Sequence, residues 1–373
     1  MIENNKTDVI VVGAGAAGLG VSVILSKLGL DFIVLEKDEV GASFKKWPKE
    51  TKFISPSFTG NFFKMADLNA ITPDTSPALS LMTEHPTGEE YASYLEGLSA
   101  YHKLPVYTGV EVKEIQKDGR LFTLDTSLGS YECKFLIWAA GEYQYPKRKS
   151  FQGSGLSTHY SEVPSFSELD GDEHIVIGAY ESGFDAACNL INQGKKVILL
   201  DDSNYLEHVE SDSSYCLSPF TRDRINSVID QLDYHSQTKV ESVEFIDNKY
   251  LVKTKNGKEF ETSQKPINCT GFASSLKLVQ DLFIFNKQGY PLLTELDEAT
   301  RTKNLFLVGP QVKHDNALFC FIYKYRQRFA IVAETIAKRK RVKRKLLKTV
   351  LKDYKELNFY LDDLSCCDGE CVC

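Results

Sequence analysis

The sequence predicts an α/β fold built from two similar units of strand, glycine-rich loop, helix and strand, the second inserted in the first and each joined to a β-meander. A β-branched run near the N-terminus leads into a glycine-rich loop, the same order of features returns near residue 174, and each unit continues into alternating apolar and polar residues. The chain has 373 residues, of which 42% are hydrophobic and 25% charged, as in globular proteins with more than one core. Its net charge of −7 argues against nucleic acid as a partner.

The first unit begins with the β-branched sequence DVIVV at residues 8–12, followed by Gly13, Gly15 and Gly18 and then by a helical stretch. In this spacing Gly13 allows a tight turn, Gly15 lets a pyrophosphate approach the backbone, and Gly18 lets the helix pack closely on the strand. Glu36 ends the next strand 23 residues after Gly13, where a carboxylate can bind the ribose hydroxyls. The unit is therefore predicted to be a Rossmann-like dinucleotide-binding domain.

The uncharged stretch at residues 9–26 has an alternative interpretation as a membrane span or a signal peptide. The eight residues up to Asp8 hold two acidic residues and one lysine, which is the wrong flank for secretion. Four glycines would also be unusual in a hydrophobic anchor. We therefore predict no integral membrane segment here.

The middle of the first unit resembles a known superfamily. A helical stretch with Tyr91, Leu95 and Leu98 on one face leads into a meander and then into a buried strand that ends in Ala139-Ala140-Gly141. In this order of features the chain resembles the two-dinucleotide-binding-domain flavoproteins. The resemblance implies that the first glycine loop holds FAD and that the end of this strand lies near the flavin. The candidate cofactor-binding residues of this unit are Gly13, Gly15, Gly18, Glu36, Ser43, Trp47, Val112, Ala140 and Gly141.

The second unit repeats the plan of the first. The strand EHIVI precedes a loop from Gly178 to Gly183, a helix follows, and Asp201 ends the next strand 23 residues after Gly178. A second meander ends in Cys269-Thr270-Gly271, which parallels Ala139-Ala140-Gly141. Because this loop matches the nicotinamide loop of the flavoproteins that the chain resembles, it is predicted to bind NAD(P)H. Its candidate residues are Gly178, Glu181, Ser182, Gly183 and Asp201.

The second loop departs from the usual pattern, because Tyr180 takes the place of the middle glycine. One alternative is therefore that this domain only packs and binds no nucleotide. Asp201 and Asp202 would repel a 2′-phosphate and favour NADH, whereas Arg222 and Arg224 could counter that charge. The choice between NADH and NADPH stays open at this point.

The chain is expected to return to the first unit at NLFLVGP, where Gly309 and Pro310 would lie beside the flavin. This order predicts four segments. Residues 1–160 form the first part of the FAD-binding domain, 161–285 the NAD(P)-binding domain, 286–345 the return segment, and 346–373 a C-terminal helix and a cysteine-rich tail.

The sequence also indicates a branch of the superfamily. Neither loop region carries a Cys-x-x-Cys or Cys-x₄-Cys motif, so we predict no flavin-proximal dithiol. Gly155 and His159 have the spacing of the flavin-containing monooxygenase fingerprint, although Gly153 and Val163 stand where that fingerprint has aromatic residues. The chain also resembles small bacterial oxidoreductases of this group that are named for cation-efflux systems. This resemblance implies an FAD-dependent, monooxygenase-like oxidoreductase.

The predicted reaction passes a hydride from NAD(P)H to the flavin and then to oxygen or another acceptor. Ser57 and Asn61 are candidate catalytic residues, because they are short polar residues in the stretch expected to cross the flavin; they could equally be turn residues. The predicted partner is a small-molecule substrate, and a homodimer is left open.

Two basic features occur near the C-terminus. Lys324, Arg326 and Arg328 could reach an anionic ligand, but we expect them to form a solvated face of a helix. Residues 338–348 hold eight basic residues, which could touch an acidic membrane surface or could belong to an exposed helix between core and tail. The exposed helix is the preferred interpretation, since the whole chain is acidic.

The cysteines fall into two groups. Cys133, Cys188, Cys216, Cys269 and Cys320 are isolated and are expected to be reduced core thiols in a cytoplasmic protein. The candidate metal ligands Cys366, Cys367, Cys371 and Cys373 lie in the last eight residues. They could bind a soft metal ion such as Zn²⁺ or Cu⁺, relay electrons as a thiol or metal-ion reductase, or have no defined role.

Overall fold

A computed structural model describes residues 5–59 and 65–365 of the chain. Its strands are β1 (Lys6–Val12), β2 (Phe32–Leu35), β3 (Val106–Tyr107), β4 (Val112–Asp118), β5 (Leu121–Thr126), β6 (Gly129–Trp138), β7 (Thr158–His159), β8 (Glu173–Ile177), β9 (Lys196–Leu200), β10 (Leu232–His235), β11 (Val240–Ile246), β12 (Lys249–Thr254), β13 (Glu259–Thr262), β14 (Ile267–Asn268), β15 (Leu305–Leu307), β16 (Lys313–His314) and β17 (Ala317–Leu318). The helices are α1 (Ala16–Lys27), α2 (Ala42–Lys45), α3 (Pro77–Leu81), α4 (Gly88–Tyr101), α5 (Glu181–Asn192), α6 (Pro219–Asn226), α7 (Ile322–Arg339) and α8 (Arg344–Glu356).

The first sheet has the strand order β3-β2-β1-β6-β5-β4. Strands β1, β2, β3 and β6 are parallel, whereas β4 and β5 form the predicted antiparallel meander beside β6. Strand β15 pairs in parallel with the last residues of β6, with Leu305 opposite Leu136 and Leu307 opposite Trp138. The chain therefore returns to the first sheet at the segment that was predicted to do so.

The second sheet repeats this plan with the parallel order β10-β9-β8-β14-β7. Strands β8, β9 and β10 take the places of β1, β2 and β3, and β14 takes the place of β6. The second meander, β11-β12-β13, forms a sheet of its own. The predicted fold class of two Rossmann-like units, each with a meander, is confirmed.

The described residues form three hydrophobic cores, one on the first sheet, one on the second sheet and a small one between the second sheet and the second meander. The first core packs α1 and α7 against the first sheet, and the contact between the two helices is close at Gly20. A Cβ atom at Gly20 would lie 2.1 Å from the ring of Phe329, so only glycine fits there. Leu276, Val279 and Phe283 also belong to the first core, ahead of the predicted return at residue 286. The domain boundaries stay a prediction.

The expectation of a solvated basic face on α7 was wrong. Arg328 is fully buried, and its Nε donates a hydrogen bond to Asp297 at 2.9 Å. Arg326 is 4% exposed and donates to the carbonyl of Ala70 at 2.7 Å. Lys324 forms an ion pair with Asp212. All three cations face protein groups, because α7 is packed on several sides and each charge has a partner there.

The C-terminal basic run contributes to α8, which is largely exposed and anchored by the buried residues Leu347, Leu351 and Tyr354. This agrees with the preferred interpretation of an exposed helix. Across residues 5–59 and 65–365, no helix has the length and apolar character needed to span a membrane.

Candidate active site

The first glycine loop has the geometry that its spacing predicts. Gly13 has φ +107°, and its N–H donates to the carbonyl of Leu35 at 2.8 Å, which turns the chain at the end of β1. A Cβ at Gly18 would lie 1.9 Å from the carbonyl oxygen of Gly13, so helix and loop touch there. A Cβ at Gly15 would meet no atom within 4 Å. The loop therefore leaves an open space above Gly15.

The start of α1 is free to bind an anion. Gly15 is the N-cap residue, and among residues 5–59 and 65–365 no side chain caps the first turn. The first-turn N–H groups lack helical partners, and the helix dipole adds a partial positive charge. An open space in front of this terminus is what a pyrophosphate requires.

Glu36 is fixed beside this space by two backbone groups. Its Oε2 accepts from the N–H of Ala14 at 2.7 Å, and its Oε1 accepts from the N–H of Asp38 at 2.9 Å. Burial raises the pKa of the carboxyl, and these two hydrogen bonds oppose the rise by stabilising the anion. The remaining lone pairs can accept hydrogen bonds from ribose hydroxyls.

A cavity of about 520 Å³ extends from this loop toward the second unit. Its lining includes many of the predicted site residues, namely Gly13, Gly15, Glu36, Ser43, Trp47, Val112, Ala140, Gly141, Glu181, Ser182 and Pro310. The glycines at positions 18, 178, 183 and 309 are not among the lining residues. Gly309 instead packs behind the cavity, where a Cβ would lie 3.2 Å from the Cβ of Ala17.

One wall of the cavity is aromatic. The ring centroids of Trp47 lie 5.3 Å from those of Phe44 and 5.0 Å from those of Phe53. On another side Tyr143 stacks on Phe272 at 4.9 Å. All five side chains line the cavity, which suits the flat, largely apolar ring system of a flavin.

The two candidate catalytic residues are not brought to this cavity by the described structure. Ser57 is 3% exposed, and its hydroxyl accepts a hydrogen bond from Nδ2 of Asn69 at 2.9 Å. It is not among the residues that line the cavity. Asn61 lies outside the described residues, as do the four candidate metal ligands of the tail. Within residues 5–59 and 65–365 no cluster of three or more metal-ligating side chains occurs.

The second glycine loop has the same internal packing as the first. Gly178 has φ +96° and donates to the carbonyl of Leu200 at 2.8 Å, and a Cβ at Gly183 would lie 1.9 Å from the carbonyl oxygen of Gly178. The second unit thus has the turn and the close helix packing of a dinucleotide loop. It differs in the space in front of the helix.

The start of α5 is covered by the segment from Ser213 to Ser218. The hydroxyl of Tyr180 donates to the carbonyls of Ser214 at 3.2 Å and Cys216 at 3.0 Å. The carboxylate of Glu181 accepts from the N–H of Ser218 at 2.6 Å. Tyr180 and Glu181 therefore contact this segment while they also line the cavity, together with Ser182 of the first helical turn.

The charged residues near the second loop also have protein partners. Asp201 is fully buried and accepts hydrogen bonds from the N–H groups of Ser203 at 2.9 Å and Tyr205 at 3.0 Å. Arg222 donates to the carbonyl of Leu206, and Arg224 pairs with Asp185 at 2.6 Å. None of these three side chains is presented to a ribose or a 2′-phosphate in this arrangement.

Two cavity residues were missed by the sequence analysis. Glu142 follows the predicted strand end, and burial raises the pKa of its carboxyl. Within residues 5–59 and 65–365 its carboxyl has no hydrogen-bond partner. Cys320 also lines the cavity, and both Cys320 and Cys216 are half-buried, so the expectation that these two are core thiols was wrong. The acid after Ala140-Gly141 was a readable signal for Glu142, but the apolar run around Cys320 offered none.

Comparison with known proteins identifies a family and several relatives. The model of the pyridine nucleotide-disulphide oxidoreductase family matches residues 10–309. The bacilliredoxin reductase Bdr of Bacillus subtilis is 24% identical over 88% of this chain and 97% of that protein. An uncharacterized CzcO-like oxidoreductase of Geobacillus kaustophilus is 26% identical over 49% of this chain and 51% of that protein.

Solved structures show the same fold. The bacillithiol disulfide reductase Bdr (YpdA) of Staphylococcus aureus is 20% identical, covers 90% of this chain and 99% of its own, and superposes with a TM-score of 0.74. At that identity the likeness concerns the fold. The sequence-based resemblance to two-domain flavoproteins and to CzcO-like oxidoreductases is confirmed by these findings.

Proposed function

The chain belongs to the pyridine nucleotide-disulphide oxidoreductase family and is an FAD- and NAD(P)-dependent oxidoreductase, and we propose that it uses NAD(P)H to reduce a small disulfide in the cavity beside the first glycine loop. One observation carries the proposal. A single cavity is lined both by the first glycine loop and by Tyr180, Glu181 and Ser182 at the start of the second unit. A donor and an acceptor can therefore meet within one cavity.

The residues at the first loop fit FAD. The open space above Gly15 and the uncapped start of α1 suit the pyrophosphate, and Glu36 suits the ribose. The aromatic wall around Trp47 suits the ring system. FAD supplies hydride acceptance and electron transfer when it is bound there.

The protein's own groups would set the conditions of the reaction. The aromatic wall keeps water from the reacting centre, which strengthens electrostatic interactions in the cavity. Glu142 is a carboxyl with a raised pKa and no hydrogen-bond partner in the described part of the chain, which suits it to hold and release a proton. Ordering of the segment from Ser213 to Ser218 would control access of the nicotinamide nucleotide.

A small disulfide is the acceptor that we favour. One relative that is matched over 97% of its length is named a bacilliredoxin reductase, and a thiol, Cys320, lines the cavity. A protein disulfide would have to enter a cavity of about 520 Å³ that would also hold part of the cofactor. A low-molecular-weight disulfide meets this restriction more easily.

Oxygen insertion, as in flavin-containing monooxygenases, is the second candidate. It is favoured by Gly155 and His159, which have the spacing of the monooxygenase fingerprint, and by the aromatic lining that would exclude water. His159 itself is buried, and its Nε2 contacts the carbonyl of Gly271 at 3.0 Å, which suits a role in joining strands β7 and β14.

An anaerobic titration tests the proposal. The purified protein with FAD should lose its flavin absorbance when NADH or NADPH is added without oxygen, and cystine or glutathione disulfide should restore it. If neither nucleotide bleaches the flavin, the proposal fails. If the flavin bleaches but only oxygen restores it, with an oxygenated product, the monooxygenase candidate replaces the reductase.

A further inference from the structure

Cys320 occupies an unusual position for a thiol in this protein. It lies two residues before the start of α7 and lines the cavity together with Phe321, Ile322 and Tyr325. By contrast, Cys133 and Cys188 are each 1% exposed in the cores. Among the thiols of the described residues, Cys320 is the one found in the lining of the main cavity.

A network of polar groups holds the thiol. The Sγ atom of Cys320 lies 3.1 Å from the hydroxyl oxygen of Ser214, and Nζ of Lys324 donates to the same oxygen at 2.7 Å. Ser214 donates its own proton to the carbonyl of Leu318 at 3.1 Å. If Cys320 ionises, the hydroxyl can turn its proton to the sulfur, and the ammonium of Lys324 stabilises the thiolate.

The groups around Cys320 favour its protonated form, but some of them also stabilise the thiolate. Burial raises the pKa of Cys320, and the charges of Asp212 and Glu142 add to this rise, whereas the hydrogen bond to Ser214 and the charge of Lys324 lower it. Glu142 acts on the thiol from the same cavity, and its carboxyl lacks a protein partner in the described part of the chain. A thiol and a proton-holding carboxyl thus share one space.

Cys216 is the other half-buried thiol, and it is placed differently. Its sulfur donates to the carbonyls of Glu210 at 3.5 Å and Asp212 at 3.8 Å, and it is not among the cavity-lining residues. It therefore serves as an internal comparison for reactivity.

We propose that Cys320 is a catalytic thiol that exchanges with a small disulfide bound in the cavity, and that Glu142 carries the proton to the departing sulfur. This inference rests on the proposed function and names the residue that handles its substrate. The S–S bond of the disulfide breaks, and a new S–S bond joins one half to Sγ of Cys320. The thiol proton passes through Glu142 to the other half, which leaves as a thiol, so the exchange itself involves no net oxidation. NAD(P)H and one proton supply the two electrons and two protons that reduce the mixed disulfide.

Mass mapping of the full-length, FAD-loaded protein tests the exchange. The protein is exposed to 2-hydroxyethyl disulfide without nucleotide, quenched in acid and digested. We expect the hydroxyethylthio adduct on the Cys320 peptide, forming at least about tenfold faster than on Cys216 because Lys324 and Glu142 assist only the former. An adduct absent from Cys320, or forming there no faster than on Cys216, overturns the proposal.

Two variants examine the proton carrier. Glu142→Gln should slow adduct formation at Cys320 by about a hundredfold, the lower range of a general acid–base contribution, and leave Cys216 labelling unchanged. Cys188→Ser is the matched control at a buried thiol and should leave the Cys320 rate unchanged. An unchanged rate in Glu142→Gln would remove the carboxyl from the mechanism.

The labelling needs no nucleotide, so its failure is distinguishable from failure of the proposed function. Anaerobic bleaching of the flavin by NADH or NADPH in the unmodified protein reports on the proposed function alone. If an adduct forms on Cys320 and disappears when NAD(P)H is added, the result supports both the proposed function and the thiol assignment. Bleaching without any adduct on Cys320 supports the oxidoreductase and overturns the thiol assignment.

Discussion

At the residue scale, Gly15 decides whether a phosphate can approach α1. Its missing side chain borders an open space, whereas Gly13 and Gly18 are enclosed by backbone atoms. A side chain at position 15 would project into the anion site without displacing protein atoms. Position 15 can therefore be altered with less harm to packing than its neighbours.

We expect Gly15→Val to abolish FAD binding while the protein stays folded, because the isopropyl group would fill the space of the pyrophosphate. The ratio of flavin to protein absorbance measures the occupancy. The matched control is Gly97→Ala in α4, also a site where a Cβ meets nothing within 4 Å, which should keep its flavin. Full flavin occupancy in Gly15→Val would refute the assignment of FAD to this loop.

Also at the residue scale, a buried ion pair is expected to contribute to the stability of the fold. The carboxylate of Asp297 is fully buried between Arg328 at 2.9 Å and His314 at 2.5 Å. Removing the guanidinium would leave this carboxylate in the core without its main cation.

Arg328→Met should therefore lower the free energy of unfolding by about 3–5 kcal/mol, as measured by urea denaturation. The control Lys49→Met breaks the exposed pair with Glu168 and should leave the unfolding midpoint unchanged within error. Equal midpoints for both variants would mean that the buried pair adds no more than the exposed one.

At the scale of elements, the segment from Ser213 to Ser218 connects the start of α5 with α7. It covers the start of α5 through Tyr180 and Glu181, and it reaches α7 through the contact of Ser214 with Lys324. The same segment thus touches both the nucleotide loop and the network around Cys320. Its displacement would open the first and alter the second.

Tyr180→Phe should tighten binding of NAD(P)H by up to about fivefold, because it removes hydrogen bonds worth about 1 kcal/mol that hold the segment closed. The dependence of the anaerobic flavin-reduction rate on nucleotide concentration measures this change. Tyr101→Phe, at an 80% exposed tyrosine, is the control. Weaker binding in Tyr180→Phe would instead show that the hydroxyl stabilises the bound nucleotide.

At the scale of the whole molecule, the two Rossmann-like units share the same arrangement of strand, glycine loop and helix but differ in front of the helix. Both glycine loops have the same turn and the same 1.9 Å helix contact. The first leaves its helix terminus open, and the second covers it with Tyr180 and a neighbouring segment. On this difference we propose the first unit as the site of the resident cofactor and the second as the site of the nicotinamide nucleotide.

The cysteine-rich tail is a separate question at this scale, since it lies outside the described residues. We expect deletion of residues 366–373 to leave flavin reduction by NAD(P)H intact and to abolish tight binding of one soft metal ion per chain. Binding of Zn²⁺ to the full chain should weaken at acid pH, because protons compete for the sulfur ligands. Equal metal binding by the truncated protein, or loss of disulfide turnover on truncation, would contradict this expectation.

The architecture and the geometry of the first glycine loop could be predicted from the sequence alone. The β-branched strands, the two glycine spacings and the acids 23 residues later are local patterns, and local patterns favour particular backbone conformations. The turn at Gly13, the close helix contact at Gly18 and the open space at Gly15 could therefore be predicted from the sequence.

The surroundings of the other charged and thiol side chains could not be predicted, because they depend on contacts between residues distant along the chain. Asp201 had the spacing of a ribose ligand, yet its carboxylate is buried under Ser203 and Tyr205. Arg328 had the spacing of a solvated face, yet it neutralises Asp297, which lies 31 residues away. Cys320 stood in an apolar run like any core thiol, and folding brought it to the cavity beside Ser214, 106 residues earlier in the chain.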